Sequence, residues 1–226
     1  MAPPVSVIIP VHDGARFLAE AIASVDEQGL DAEVVVVDDG STDDSAAVAE
    51  GRRARCVRQA RQGPSAARNA GIAASSAPVV AFLDADDLVP PGALALQLAH
   101  LATNPDAGGV IGMQRCEVLD DVDLPGWAVA DGVGGPDEVR RPLPISLVAH
   151  RSTFERVGGF DPALGLSEDV DWLFRAKDLG VVIDVVPDVV RIRRIHGANL
   201  TYDTAGLRRA TFEVLGARAR RRRQEP

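Results

Sequence analysis

The chain has 226 residues, 46% hydrophobic and 25% charged, with a formal net charge of -9 and two cysteines, Cys56 and Cys116. This length and apolar content suffice for the core of one large α/β domain. A net negative charge excludes a general nucleic-acid binder, whose affinity depends on concentrated Lys and Arg. Cysteines without CxxC spacing exclude a disulfide framework or a thiolate zinc site, so both are expected to be buried and ordinary.

In chain order, Met1-Ala2-Pro3-Pro4 has neither a basic region nor a cleavage-type segment, so no secretion signal is expected and the cytoplasm is the expected location. Val5 to Val11 is nearly all apolar and β-branched, the composition of a central parallel strand covered on both faces. Phe17, Leu18, Ala21, Ile22 and Val25 then recur at helical spacing, and Glu33 to Val37 predicts a second buried strand ending in Asp38-Asp39-Gly40-Ser41. A helix after Asp43, a short strand near Cys56-Val57, a helix over Ser65 to Ala74 and a strand Val79 to Leu83 continue the βαβ rhythm of a parallel, doubly wound sheet. An Ala- and Leu-rich helix follows Pro90-Pro91, and a strand is expected around Val110 to Met113. From about Glu117 to Pro144 the chain is rich in Asp, Gly and Pro and reads as a long loop. Beyond it the pattern predicts a helix opening at Ser167-Glu168-Asp169 with Ser167 as N-cap, strands at Val181 to Ile183 and Val190 to Ile192, and a last helix. That helix ends in a basic run, Arg218 and Arg220 to Arg223, read as a solvated helix end rather than a contact with an anionic membrane. No stretch approaches the roughly 18 uninterrupted apolar residues of a membrane span.

Ligands of open α/β sheets bind beyond the carboxyl ends of the parallel strands. Three polar segments fall at such ends: Pro10-Val11-His12-Asp13-Gly14, Asp38 to Asp43, and Asp84-Ala85-Asp86-Asp87. Asp84 and Asp86 stand two apart, so an extended backbone aims both carboxylates to one side, where a hard cation such as Mg²⁺ or Mn²⁺ would relieve their repulsion and share a diphosphate. The competing reading is that these aspartates solvate a turn and cap the next helix; for Asp87 taken alone, the cap is the preferred reading.

Val-Ser-Val-Ile-Ile-Pro-Val-His, Val-Val-Asp-Asp-Gly-Ser-Thr-Asp, Gly-Pro-Ser-Ala-Ala-Arg-Asn-Ala-Gly and Phe-Leu-Asp-Ala-Asp-Asp occur in this order, followed by Gly158-Gly159-Phe160-Asp161 and Ser167 to Trp172. Together they resemble glycosyltransferase family 2. The resemblance implies a GT-A fold: a Rossmann-like, mostly parallel sheet flanked by helices, with a smaller C-terminal acceptor-side portion. It implies one domain over 1–226, with a nucleotide-sugar half to about residue 114 and an acceptor half after it. It also implies a nucleotide-diphosphate sugar donor, with a UDP-sugar favoured, and inversion at the anomeric carbon.

Carried over by resemblance, Pro10, Val11, Asp38, Asp39, Arg68, Asp84 and Ala85 line the donor, with Asp39 accepting a hydrogen bond from the base. Asp86 is the direct metal ligand and Asp169 the base that activates the acceptor hydroxyl. For Asp38 and Asp39 a turn and helix cap, for Arg68 a salt bridge, and for Glu168 and Asp169 a pair of first-turn acids are the structural alternatives. His196 is either a structural histidine or a second metal ligand, beside Arg193 and Arg194 as charges for the leaving group. Trp127 is either a sugar-stacking platform or a packing anchor, and Glu168 and Asp171 are further acceptor-side candidates. No pattern identifies the acceptor. A catalytically silent nucleotide-sugar-binding module and a sugar nucleotidyltransferase are the alternative functions. The latter is disfavoured because only Gly14 follows the first strand where a Gly-rich segment is required.

Overall fold

Ser6–Val11 (β1) sends Val7, Ile9 and Val11 into one hydrophobic core and Ile8 into another, as strand alternation requires of a sheet covered on both faces. The structure is a computed structural model that describes residues 3–119, 122–133, 135, 141–164, 166–199 and 204–224. After β1 come Ala15–Asp26 (α1), Glu33–Asp39 (β2), Ser45–Glu50 (α2), Ala54–Gln59 (β3), Pro64–Ala74 (α3), Val79–Phe82 (β4) and Ala93–Thr103 (α4). The second half holds Ala107–Val118 (β5), Gly126–Ala130 (α5), Val148–His150 (β6), Arg151–Val157 (α6), Glu168–Asp178 (α7), Val182–Ile195 (β7) and Thr204–Gln224 (α8).

These strands form a seven-stranded sheet in the order β3-β2-β1-β4-β6-β5-β7, in which β6 runs antiparallel to both neighbours and the other strands are parallel. One core lies between the sheet and α1 and α4, built on Leu18, Ile22, Leu94 and Leu101. The other lies under α3, α6 and α7, where Phe82, Phe154, Phe160 and the fully buried Trp172 pack ring against ring. Helix α3 approaches β1 closely through Gly71: a Cβ there would stand 2.3 Å from Ile8 Cγ2.

The α/β sheet and its first four strands follow the sequence pattern; the second half departs from it. The expected strand at Val110 to Met113 is twelve residues long, and the two pieces expected near Val181 and Val190 are one strand, β7, of fourteen. Pro187-Asp188 makes the sequence read as a break, but β7 lies at the sheet edge, where a missing N–H is tolerated, and the β5–β7 register shifts between Ile111 and Gln114. The loop expected over Glu117 to Pro144 is shortened by β5 and contains α5; its residues 120, 121, 134 and 136–140 lie outside the described residues. Cys56 and Cys116 are half-buried rather than buried.

Candidate active site

Because the flanking parallel strands point the same way, Val11, Asp39 and Phe82 end at one edge of the sheet, and β7 brings Ile195-His196 to it. The polar segments that follow these strands converge there.

The segment after β4 is held from two sides. Leu88 and Ile192 exchange backbone hydrogen bonds of 3.0 and 2.9 Å, which fasten it to β7. Asp87 is 3% exposed and its Oδ1 accepts the Arg194 N–H at 3.1 Å. It caps no helix, since α4 begins after Gly92, so the cap expected of Asp87 gives way to a strut between this loop and β7. Burial, together with the negative charges of Asp86 and Asp84, pushes the Asp87 carboxyl well above the usual range.

Asp86 and Asp84 remain about a third exposed, at 31% and 33% of their side chains. Asp86 Oδ2 lies 3.0 Å from His196 Nε2, and Asn199 Nδ2 donates to the same oxygen at 3.0 Å. His196 is 7% exposed, with Phe17 against it at 4.4 Å between ring centroids. The two residues expected to ligate a metal are thus adjacent. Among the described residues no set of three His, Cys, Asp or Glu side chains is arranged around one point. Asp86 fits a magnesium- or manganese-class ion, which takes one or two carboxylates and fills its shell with phosphate oxygens and water, with the His196 imidazole as a softer additional donor.

Arg68 is the centre of the other half of the site. It projects from α3, is 5% exposed, and donates through Nη2 to Asp84 Oδ1 at 2.8 Å and through Nη1 to Glu168 Oε1. A single buried guanidinium therefore joins the end of β4 to the first turn of α7. Burial alone would raise the Asp84 carboxyl, but the charges of Arg68, Arg191 and Arg193 outweigh it and hold the group below its ordinary value. Asp169, next to Glu168, has no such partner among the described residues; its Oδ1 accepts the N–H of Val170 at 2.8 Å. Burial and the charge of Glu168 push it up to about 6, against the opposing pull of Arg68. Ser167, expected as an N-cap, occupies that position without a capping hydrogen bond and with φ of 63°, a strained geometry for serine at the point where the chain turns Glu168 and Asp169 inward.

Asp38 and Asp39, 2% and 4% exposed, serve the loops around the first three strands. Asp38 Oδ1 accepts the N–H of Ser41 at 2.8 Å, so it closes a turn rather than capping a helix. Asp39 Oδ1 accepts Gln59 Nε2 and Gln62 N at 2.7 and 2.8 Å, and Oδ2 accepts Gly63 N at 2.7 Å. One lone pair of Oδ2 is left for a base, so Asp39 first builds the β3–α3 loop. Pro10 is half-buried in β1; Val11 is 4% exposed with its side chain in the core, so only its backbone faces the edge. Ala85 Cβ lies 3.7 Å from where a Cβ of Gly14 would stand, which sets the β1–α1 and β4–α4 loops side by side.

The remaining candidates are engaged with other partners. Asp171 is 2% exposed and paired with Arg175 at 2.8 Å, and Arg175 binds the carbonyls of Val157 and Gly159, which makes Asp171 part of the α7 packing. Trp127 packs in a small cluster with Ala128, Val133 and Ile195, under Arg193 at 4.7 Å. Arg194 is 2% exposed and spent on Glu20, the Asp86 carbonyl and the Phe17 ring. Sequence reasoning missed Asn69, which clamps Phe160 through its carbonyl and N–H at 2.8 Å each. It also missed the contacts of Asn199 and the buried Arg191, which donates to the Phe82 carbonyl. Asn69 was findable, since it stands inside a quoted motif, and Asn199 by its place three residues after His196; Arg191 leaves no signal beyond an arginine in a strand.

Residues 6–127 match the family described as Glycosyl transferase family 2, more than half of the chain. The chain belongs to this family. Asp169 and His196 lie outside the matched segment. Among curated relatives, the succinoglycan biosynthesis protein ExoU of Rhizobium meliloti is 46% identical over 102 residues, 42% of this chain and 30% of that protein. The hyaluronan synthase of Pasteurella multocida is 23% identical over 225 residues, 94% of this chain and 22% of that protein. Among solved structures, the mannosyltransferase PcManGT of Pyrobaculum calidifontis, in complex with GDP-Man and Mn²⁺, is 23% identical and superposes with a TM-score of 0.72 over 97% of this chain and 65% of its own. S. aureus TarS 1-349 in complex with UDP gives 0.66 at 19% identity, over 95% of this chain and 63% of its own. The chain thus has the GT-A fold of these structures and spans less than two thirds of each of the four proteins.

Proposed function

We propose that the chain is a metal-dependent, inverting glycosyltransferase that moves a sugar from a nucleoside-diphosphate donor, a UDP-sugar by preference, to an acceptor hydroxyl. The observation that carries this reading is the buried Arg68, which bonds at once to Asp84 on the donor side and to Glu168 beside Asp169. It holds a candidate base at a fixed place relative to the loop that would grip a diphosphate. The relatives add support: PcManGT is described with GDP-Man and Mn²⁺, and S. aureus TarS with UDP-GlcNAc.

A divalent cation held by Asp86 and His196 would supply neutralisation of the diphosphate charge. Asp169 accepts the proton of the acceptor hydroxyl as its oxygen bonds to the anomeric carbon. The bond from that carbon to the donor phosphate oxygen breaks on the opposite face, and the nucleoside diphosphate leaves. A carboxyl pushed up to about 6 is a stronger base than a free aspartate and is still ionised at neutral pH. Arg68 stands between Asp84 and Glu168 and pairs with both.

The test is a donor-hydrolysis and transfer assay on the native chain, Asp86→Ala and Asp169→Asn. Both variants are expected to lose about a hundredfold or more in rate. Full transfer by Asp169→Asn removes it as the base, and tight donor binding without turnover by the native chain on any acceptor favours a silent binding module.

A further inference from the structure

Helix α8 has one face seated on the protein and, among the described residues, large apolar side chains exposed on another. Ala210 and Val214 are buried, and Arg218 pairs with Asp178 of α7 at 2.8 Å with its guanidinium 4.3 Å from the Phe174 ring. Away from that seat, Phe212 is 73% and Leu215 44% exposed. Positions 212, 215 and 219 share a helical face, and the exposed Arg209 and Arg220 lie along one side of it. The segment's charge is as uneven as its burial. Residues 204–224 hold seven Arg and one Glu, net +6, in a chain of net -9, so the remainder carries -15.

We infer that α8 is a docking surface for a lipid bilayer whose headgroups are anionic. A strip of Phe and Leu bordered by arginines matches the two layers of such a surface: the rings and branched chains enter the boundary between headgroups and acyl chains, and the guanidinium groups remain among the phosphates. A nucleic-acid backbone supplies the anions but no apolar layer for Phe212 and Leu215. A second copy of this chain supplies the apolar layer but brings a second helix of net +6 against the first, which like charge opposes. The inference concerns where the chain resides and does not depend on the reaction assigned to it.

Co-sedimentation with extruded vesicles tests it, comparing phosphatidylcholine alone with phosphatidylcholine containing one quarter phosphatidylglycerol, at low and at high salt. The native chain is expected to partition about tenfold more onto the anionic vesicles, with most of the difference lost at high salt. The double variant Phe212→Ser/Leu215→Ser keeps every charge and is expected to bind them about tenfold less, with an unchanged thermal melt. Arg220→Glu is expected to weaken binding to anionic vesicles alone. Three results would each overturn the inference. One is no sedimentation with anionic vesicles, and another is a double variant that binds as the native chain does. The third is a native dimer in light scattering that the double variant converts to monomer.

Discussion

Ionising Asp169 is harder than ionising a free aspartate, because burial and the adjacent Glu168 charge both resist it and push its pKa up to about 6 from 3.8. The two consequences have opposite signs. Folding stability from this group is fully present below the unfolded value and is lost as pH rises through about 6, whereas a base gains activity over the same rise. Asp169→Asn is therefore expected to melt higher than the native chain at pH near 7.5 by on the order of 1–2 kcal/mol, allowing for partial exposure, while losing transfer. The native rate is expected to climb through pH about 6, and Glu168→Gln, which removes the largest opposing charge, to move that limb to lower pH. Arg68 and Asp84 are the other charged groups at Asp169, and both remain in that variant. A pH–rate profile checks the shift; an unmoved limb would assign the titration to another group. Arg68 shows what a sequence withholds. Its type and motif mark it as important, but its partners, Asp84 and Glu168, stand 16 and 100 residues away, and only the packing of α3 under the sheet edge puts a donor-side candidate into an internal bridge.

At the scale of elements, β1, β2 and β4 were readable because their apolar runs are followed by polar residues at the same sheet edge, whereas β3 shows only Cys56-Val57 between arginines and was placed by the βαβ rhythm. The second half was read less well for a physical reason. β6 is three residues long, too short to show a period, and β7 carries a proline that its edge position tolerates. The motif residues nevertheless met: Asn69 of α3 holds Phe160, and Trp172 Nε1 of α7 donates to the Gly158 carbonyl at 2.9 Å, so two motifs far apart in sequence brace each other. The fit of α3 onto β1 carries a prediction of its own. Gly71→Ala places a methyl 2.3 Å from Ile8 Cγ2 in a filled core and is expected to cost about 1–3 kcal/mol in denaturant unfolding. A neutral result would mean that α3 can move off the sheet, which the Arg68 bridge forbids.

Across the whole molecule, the site joins segments from both ends of the chain. Asp86 on the β4–α4 loop meets His196 after β7, and Arg68 links the β4 end to α7. The central claim is that this junction grips a nucleoside diphosphate together with a divalent cation. A thermal-shift titration of UDP and other nucleoside diphosphates with and without Mn²⁺, on the native chain and on Asp86→Ala, addresses it without knowledge of the acceptor. A ligand at about a hundred times its Kd adds about 2.7 kcal/mol, or several degrees in Tm for a chain of this size. The account predicts that rise for the native chain only when nucleotide and Mn²⁺ are both present, and its loss in Asp86→Ala. An equal rise without the metal, or an undiminished one in Asp86→Ala, would contradict it.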